Sequence, residues 1–290
     1  MRLFVFGLGY SARCFIARHG HDYSHISGTT RAAAMATGAA DGTEALPFPT
    51  EPPDPAIAAR LAQADALLVS IPPGPDGDPV LRAAAPLIAA SGIRRIVYLS
   101  SVGVYADHHG DWIDESAAVH GESDSAGGSP GRRHNRIAAE TAWRQLAGDR
   151  TSILRIAGIY GPGRNALVNL RDGKAHRIVK PGQVFNRIHV DDIAASIAAA
   201  FAHPTSGTWN VCDDEPAPPQ DVVTFAASLM SVPPPPEQEF ASAAMSPMAR
   251  SFYASSNRIS NARLKQQLGV RLDYPTYREG LTALWRSGAA

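Results

Sequence analysis

The stretch Arg2-Leu3-Phe4-Val5-Phe6-Gly7-Leu8-Gly9-Tyr10-Ser11-Ala12 decides the fold. Its first half is an apolar strand that runs straight into a G-x-G-x-x-A turn. With no Cβ at Gly7 or Gly9, the backbone of such a turn can approach a pyrophosphate, while Ala12 keeps the next helix close to the sheet. That helix, expected over residues 11–19 with Phe15 and Ile16 on its apolar side, aims its N-terminal N–H groups and positive dipole end at the phosphates. A glycine pattern alone is a weak signal. Its place between an apolar strand and an amphipathic run gives it meaning and predicts dinucleotide binding. Gly7, Leu8, Gly9, Tyr10 and Ser11 are the first cofactor-binding candidates.

Downstream, short β-rich apolar runs alternate with alanine-rich helical stretches, the pattern of a parallel, doubly wound sheet. Strands are predicted over residues 3–6, 24–28, 66–71, 95–100 and 152–156, with a short one inside 41–48 and another at Trp209-Asn210-Val211. Helices are predicted over 55–64, 80–91, 133–146 and 193–201. Pro79 and Pro86 warn of a late start or a kink in the second of these, and Asp191 and Asp192 can cap the last. Residues 106–133 turn polar and glycine-rich, with His108, His109, Gly121, Gly127, Gly128 and Gly131, and read as a long functional loop.

The 290 residues allow one large α/β domain with a smaller appendage, or two domains. Lys+Arg and Asp+Glu are balanced at 27 each, so no global field recruits a polyanion or an anionic membrane. Nearly all the positive charge is arginine, which favours fork-like recognition of phosphate or carboxylate over lysine chemistry. Two cysteines, Cys14 and Cys212, cannot build a disulfide framework or a cysteine zinc site, and no metal is expected. The first strand begins at the second residue and no apolar run approaches a membrane span, so a cytoplasmic protein without a leader is expected.

In order and spacing, five stretches together resemble the extended branch of the short-chain dehydrogenase/reductase superfamily, the epimerase and dehydratase group. They are the opening turn; residues 98–105, Tyr-Leu-Ser-Ser-Val-Gly-Val-Tyr; Trp112-Ile113-Asp114-Glu115; Leu154-Arg155 through Gly161-Pro162-Gly163; and Arg187-Ile188-His189-Val190-Asp191-Asp192. The resemblance implies an α/β Rossmann-type sheet with a small C-terminal α+β substrate domain. Residues 1–158 with about 187–213 would bind the dinucleotide, and about 159–186 with 214–290 would bind substrate. It also implies that Ser70, Ile71, Pro72 and Ser100 line the cofactor, that Ser101 is the family's catalytic serine, and that Tyr105 walls the substrate pocket.

The departures from the family carry as much information. The family's catalytic Tyr-x-x-x-Lys should precede Ala138-Ala139-Glu140, yet those positions hold Arg132 and Arg136, and no tyrosine has a lysine four residues on. Arginine stays charged and cannot exchange the proton that a phenol would. Arg136 can still hydrogen-bond a nicotinamide ribose, and Arg132 can hold an anionic substrate group. His134 and Tyr105 are the substitute acid/base candidates. At the end of the second strand an NAD site wants an acidic residue, but the chain offers Thr30 and Arg31, which suit a 2′-phosphate and predict NADP over NAD. The expected partner is a small molecule, a nucleotide sugar or another carbonyl or hydroxyl compound, with no nucleic acid or membrane and a homodimer left open. Two functions stay open, an enzyme with a relocated acid/base group and a non-catalytic NADP(H)-binding sensor or partner module.

Overall fold

The computed structural model describes residues 1–31, 42–49, 54–119 and 131–289. Asp41, Pro52, Pro53 and the middle of the expected glycine-rich loop, with Gly121, Gly127 and Gly128, lie outside these residues. In chain order the first half contains β1 (Arg2–Phe6), α1 (Tyr10–His19), β2 (His25–Thr30), β3 (Glu44–Pro47), α2 (Pro55–Gln63), β4 (Ala66–Val69), α3 (Pro79–Ala90), β5 (Arg95–Ser101), β6 (Trp112–Ile113) and α4 (Arg132–Ala147). Next come β7 (Thr151–Ile156), β8 (Gly158–Tyr160), α5 (Ala166–Arg171), β9 (Arg177–Val179), β10 (Arg187–His189), α6 (Val190–Ala202) and β11 (Thr208–Val211). The chain closes with α7 (Pro219–Leu229), β12 (Glu237–Glu239), α8 (Pro247–Ser251), β13 (Arg258–Ile259), α9 (Ala262–Gln267) and α10 (Tyr277–Arg286).

Seven parallel strands form the central sheet in the order β3-β2-β1-β4-β5-β7-β11. Strand alternation assigns side chains to its two faces. Leu3 and Val5 of β1, with Val97 and Leu99 of β5, join the core under α1 and α6. Phe4, Phe6, Ile96 and Tyr98 point the other way, into the core shared with α2, α3 and α4. This is the doubly wound α/β arrangement expected from the apolar runs.

The helix starts follow local chemistry. Asp54 accepts from Ala56 N–H at 2.8 Å, and Asp78 accepts from Val80 N–H at 2.8 Å and Leu81 N–H at 3.1 Å. Each aspartate precedes a proline at the first helical position, where a missing N–H costs nothing. Pro79 therefore starts α3 on time, and Pro86 sits within it on an exposed side. At α6 the cap is His189, whose Nδ1 accepts from Asp191 N–H at 3.2 Å, and not either aspartate. Asp192 is instead buried and accepts from the backbone N–H groups of Asp273 (2.7 Å) and Tyr274 (3.2 Å). It latches the segment before α10 onto the start of α6.

A smaller core of Tyr160, Leu167, Val222, Ala226, Tyr277, Leu281 and Leu284 unites α5, α7 and α10 beside the sheet. The expected polar stretch after residue 106 contains β6, which pairs in parallel with β13 from near the C-terminus. No helix among the described residues is long and apolar enough to cross a membrane.

Asp213, just past β11, is 2 % exposed. One carboxylate oxygen accepts from Glu215 N–H at 3.3 Å, and the other has no partner among the described residues. Burial pushes its carboxyl up to about 8, against the opposing charge of Arg187. The folded protein therefore holds a proton that the unfolded chain releases near the ordinary carboxylate range of about 4, and stability falls as pH rises from there to about 8. Asp213→Asn should flatten this decline in urea titrations at about pH 5 and about pH 8; equal slopes for variant and wild type would refute the assignment.

Candidate cofactor and active site

The turn after β1 lies where the strand order reverses, with β2 and β3 on one side and β4, β5, β7 and β11 on the other. In open α/β sheets this crevice is where ligands bind. Gly7 has φ +96°, and a Cβ there would sit 2.8 Å from Ile71 Cγ1, so only glycine fits. Gly7 N–H donates to Thr29 Oγ1 at 3.0 Å and Leu8 N–H to Thr29 O at 2.8 Å. The Leu8 side chain packs onto Gly28 of β2, where a Cβ would come 3.0 Å from Val5 O. Strands β1 and β2 thus hold the turn from below.

Gly9 then caps α1 with no side chain bonded to its first N–H groups and no acidic residue in the first turn. Those donors and the helix dipole face outward, a ready site for an anion. Tyr10 O–H donates to Pro162 O at 3.0 Å, which brings the Gly161-Pro162-Gly163 turn up to the same corner. Ser70 and Ile71, at the end of β4, form the adjoining wall, since Ser70 N–H donates to Phe6 O at 2.8 Å.

At the end of β5 a buried network sets the geometry. Arg155 of β7 grips Glu140 of α4 through two bonds, Nη2 to Oε2 at 2.8 Å and Nε to Oε1 at 3.2 Å. Ser100 Oγ donates to the same carboxylate at 2.6 Å. Arg155 also donates to Tyr105 Oη at 3.0 Å and lies over its ring at 4.9 Å, and Tyr105 O–H donates to Asn210 Oδ1 at 2.7 Å. Asn210 N–H in turn donates to Glu115 Oε1 at 2.7 Å, and its side-chain amide to Ser260 O at 3.2 Å. The network so runs from the cofactor-side strand end to the C-terminal segments.

Above it, the start of α4 meets the 3-10 turn at residues 102–104. Ser101 Oγ accepts from Gly103 N–H at 3.1 Å, and Arg133 Nε donates to Gly103 O at 3.3 Å. Arg136 is half-buried and has no hydrogen bond or ion pair among the described residues. Burial pulls its guanidinium below the usual arginine range, while the nearby Tyr98 counters this. The Tyr98 hydroxyl itself is buried without a hydrogen-bond partner among the described residues.

No family model matches the chain. A solved structure of a functionally unknown conserved protein from Silicibacter pomeroyi is 43% identical, covering 99% of this chain and 98% of that one, with a TM-score of 0.88. The chain belongs to the same family as that protein. A human epimerase family protein solved with NADPH is 18% identical over 99% of each chain with a TM-score of 0.70, a likeness of fold. The fold is thus the one shared with epimerase-family structures. A 3-diazoavenalumate denitrifying reductase from Streptomyces is 28% identical over 207 residues, which span 66% of this chain and 65% of that reductase.

Within this family's fold, the structure brings Gly7, Leu8, Gly9, Tyr10, Ser11, Ser70 and Ile71 together at one corner. Pro72 continues the Ser70-Ile71 wall, and Ser100 and Ser101 end the strand two places away. Thr30 ends β2, and Arg31, which follows it, is exposed. Arg132 and His134 are exposed on the first turn of α4. Tyr105 sits differently from the pocket wall that the sequence suggested. It is 1 % exposed, its hydroxyl both donates and accepts within the protein, and burial raises its phenol above the ordinary range. It has no free group to offer a substrate, so its place is structural. Sequence reasoning missed Thr29, which braces the turn; the signal was a buried hydroxyl in a strand directly beside it.

Removing one member of the buried pair leaves the other charge uncompensated, which costs about 3–5 kcal/mol. Glu140→Leu should lower unfolding stability by that order in urea melts. The double variant Glu140→Leu/Arg155→Met should recover part of the loss, and additive losses would show that the pair does not act as a unit.

Proposed function

We propose that this chain is an NADP(H)-dependent oxidoreductase that lacks the tyrosine-lysine proton relay of its fold relatives. The observation that carries the reading is the uncapped N-terminus of α1 behind a glycine that tolerates no Cβ, set at the reversal point of the sheet. These features fit a dinucleotide diphosphate, held by the N–H groups after Gly9 and walled by Ser70, Ile71 and Pro72. Thr30 and Arg31 would receive a 2′-phosphate. The acidic residue nearest along the sheet, Glu44, is engaged elsewhere, with Arg60 at 2.6 Å and Ser27 at 2.9 Å. Arg136, desolvated and without a hydrogen bond or ion pair among the described residues, would hydrogen-bond the nicotinamide ribose.

When bound, the reduced cofactor supplies a hydride. Ser101 can donate its O–H to a substrate oxygen or nitrogen while its own oxygen is fixed by Gly103 N–H. The arginines stabilise negative charge that develops nearby, and they remain charged throughout. The proton that completes a carbonyl reduction therefore comes from solvent. This arrangement favours acceptors that take a hydride without concerted protonation, and the reductase name of the Streptomyces relative agrees in class. Among the described residues the buried carboxylate at the site, Glu140, is committed to Arg155 and Ser100, which favours a second reading, a non-catalytic NADP(H)-binding sensor.

NADPH should raise the melting temperature more than NADH at equal concentration, and Arg31→Glu should weaken NADPH binding at least about tenfold, about 1.4 kcal/mol, with NADH affected less. Equal or tighter NADH binding by the wild type would overturn the cofactor assignment. With NADPH and a panel of carbonyls and nucleotide sugars, Ser101→Ala should lower turnover roughly 10–100-fold while NADPH affinity stays unchanged. Tight NADPH binding with no turnover on any acceptor would decide for the sensor.

A further inference from the structure

The family position of the catalytic tyrosine is occupied by Arg132, and what holds that arginine comes from far along the chain. Its guanidinium lies over the ring of Phe252 at 5.6 Å from the centroid. Phe252 follows α8 and is 56 % exposed, and Met248 on the same short helix is 61 % exposed. Arg132 is exposed as well, and no carboxylate among the described residues pairs with it. Attraction to a ring face uses the charge of a guanidinium and spends none of its N–H donors, which leaves the N–H fork available. Such a fork matches two oxygens of a carboxylate or phosphoryl group in one plane. Arg133, bonded to Gly103 O, ties this turn of α4 to the segment that carries Ser101.

We propose that Arg132 and Phe252 form the substrate clamp of this site, and that the substrate carries an oxyanion on an apolar, ring-like body. The oxyanion takes the fork of Arg132, and the apolar body lies along Phe252 and Met248 with its reactive end toward Ser101. This rests on the oxidoreductase reading above and adds its substrate class. Exposed Phe252, against an arginine with no carboxylate partner among the described residues, and exposed Met248 nearby in the chain would be costly surface for a sugar hydroxyl array, which needs hydrogen-bond partners that neither Phe252 nor Met248 provides. The clamp also explains why an arginine, useless as a proton donor, occupies that place on α4: its task is binding.

The test is isothermal titration of the full-length protein, with and without saturating NADP+, using benzoate, phenyl phosphate, benzyl alcohol and the neutral sugar glucose as probes. Saturable binding of benzoate or phenyl phosphate is expected, with benzyl alcohol at least about tenfold weaker, and whichever anion binds more tightly identifies the oxyanion. Arg132→Gln should remove the preference for the anion over the alcohol. Phe252→Ala should weaken the anion at least about threefold, and Phe252→Tyr should restore it. Unchanged NADP+ affinity in each variant shows that the fold is intact. Benzyl alcohol or glucose binding as tightly as benzoate and phenyl phosphate, or anion affinity untouched by both Arg132→Gln and Phe252→Ala, would overturn the clamp. Anion binding without NADP(H) binding would sink the cofactor reading and leave the clamp standing, while NADP(H) binding with no anion binding sinks the clamp alone.

Discussion

The buried grip of Arg155 on Glu140 is the constraint on which the geometry of the site depends. A carboxylate and a guanidinium withdrawn from water lose several kilocalories of hydration each, and only a bidentate contact with the remaining valences filled restores them. Ser100 and Tyr105 fill those valences here. Because Glu140 sits on α4, Arg155 on β7, Ser100 on β5 and Tyr105 beyond it, one pair fixes four parts of the chain in register. The same network holds Tyr105 inside the protein, so a conspicuous tyrosine beside the family serine supports the structure and leaves chemistry to others.

The phosphate corner works on a different principle. It is made of main-chain N–H groups and a helix dipole, which need no charged side chain and are compatible with an overall charge of zero. Side-chain charge then enters at chosen points, Arg31 at the end of β2 and Arg132 and Arg136 on α4. Exchanging a tyrosine-lysine pair for two arginines keeps positive charge near the cofactor end and gives up the exchangeable proton. In the proposed reading that trade narrows the chemistry to hydride acceptors that draw their proton from solvent, and it frees the outer position for recognition.

Elements whose partners are close in sequence were legible in the residues alone. The apolar run over residues 3–6 marks β1, and the helices expected over 55–64 and 80–91 match α2 and α3 to within one residue at each end, although Pro79, read as a warning, starts α3 on time. The G-x-G-x-x-A turn places the cofactor corner. Where competing partners were available, local reading was less decisive. Asp191 and Asp192 look like caps for α6, but a histidine takes that role because Asp192 finds two backbone donors at residues 273 and 274, which bury it.

By itself the sequence determined the fold class, the glycine turn between β1 and α1 and the arginines at 132 and 136, because strand period, glycine sterics and residue identity are local properties. Tertiary structure alone decided that Tyr105 is locked against Arg155 and Asn210, that Asp213 is driven toward its neutral form, and that Phe252 meets Arg132 from 120 positions away. Each of these depends on desolvation and on side-chain fork or ring geometry between segments remote in the chain, and neither quantity exists until the chain has folded.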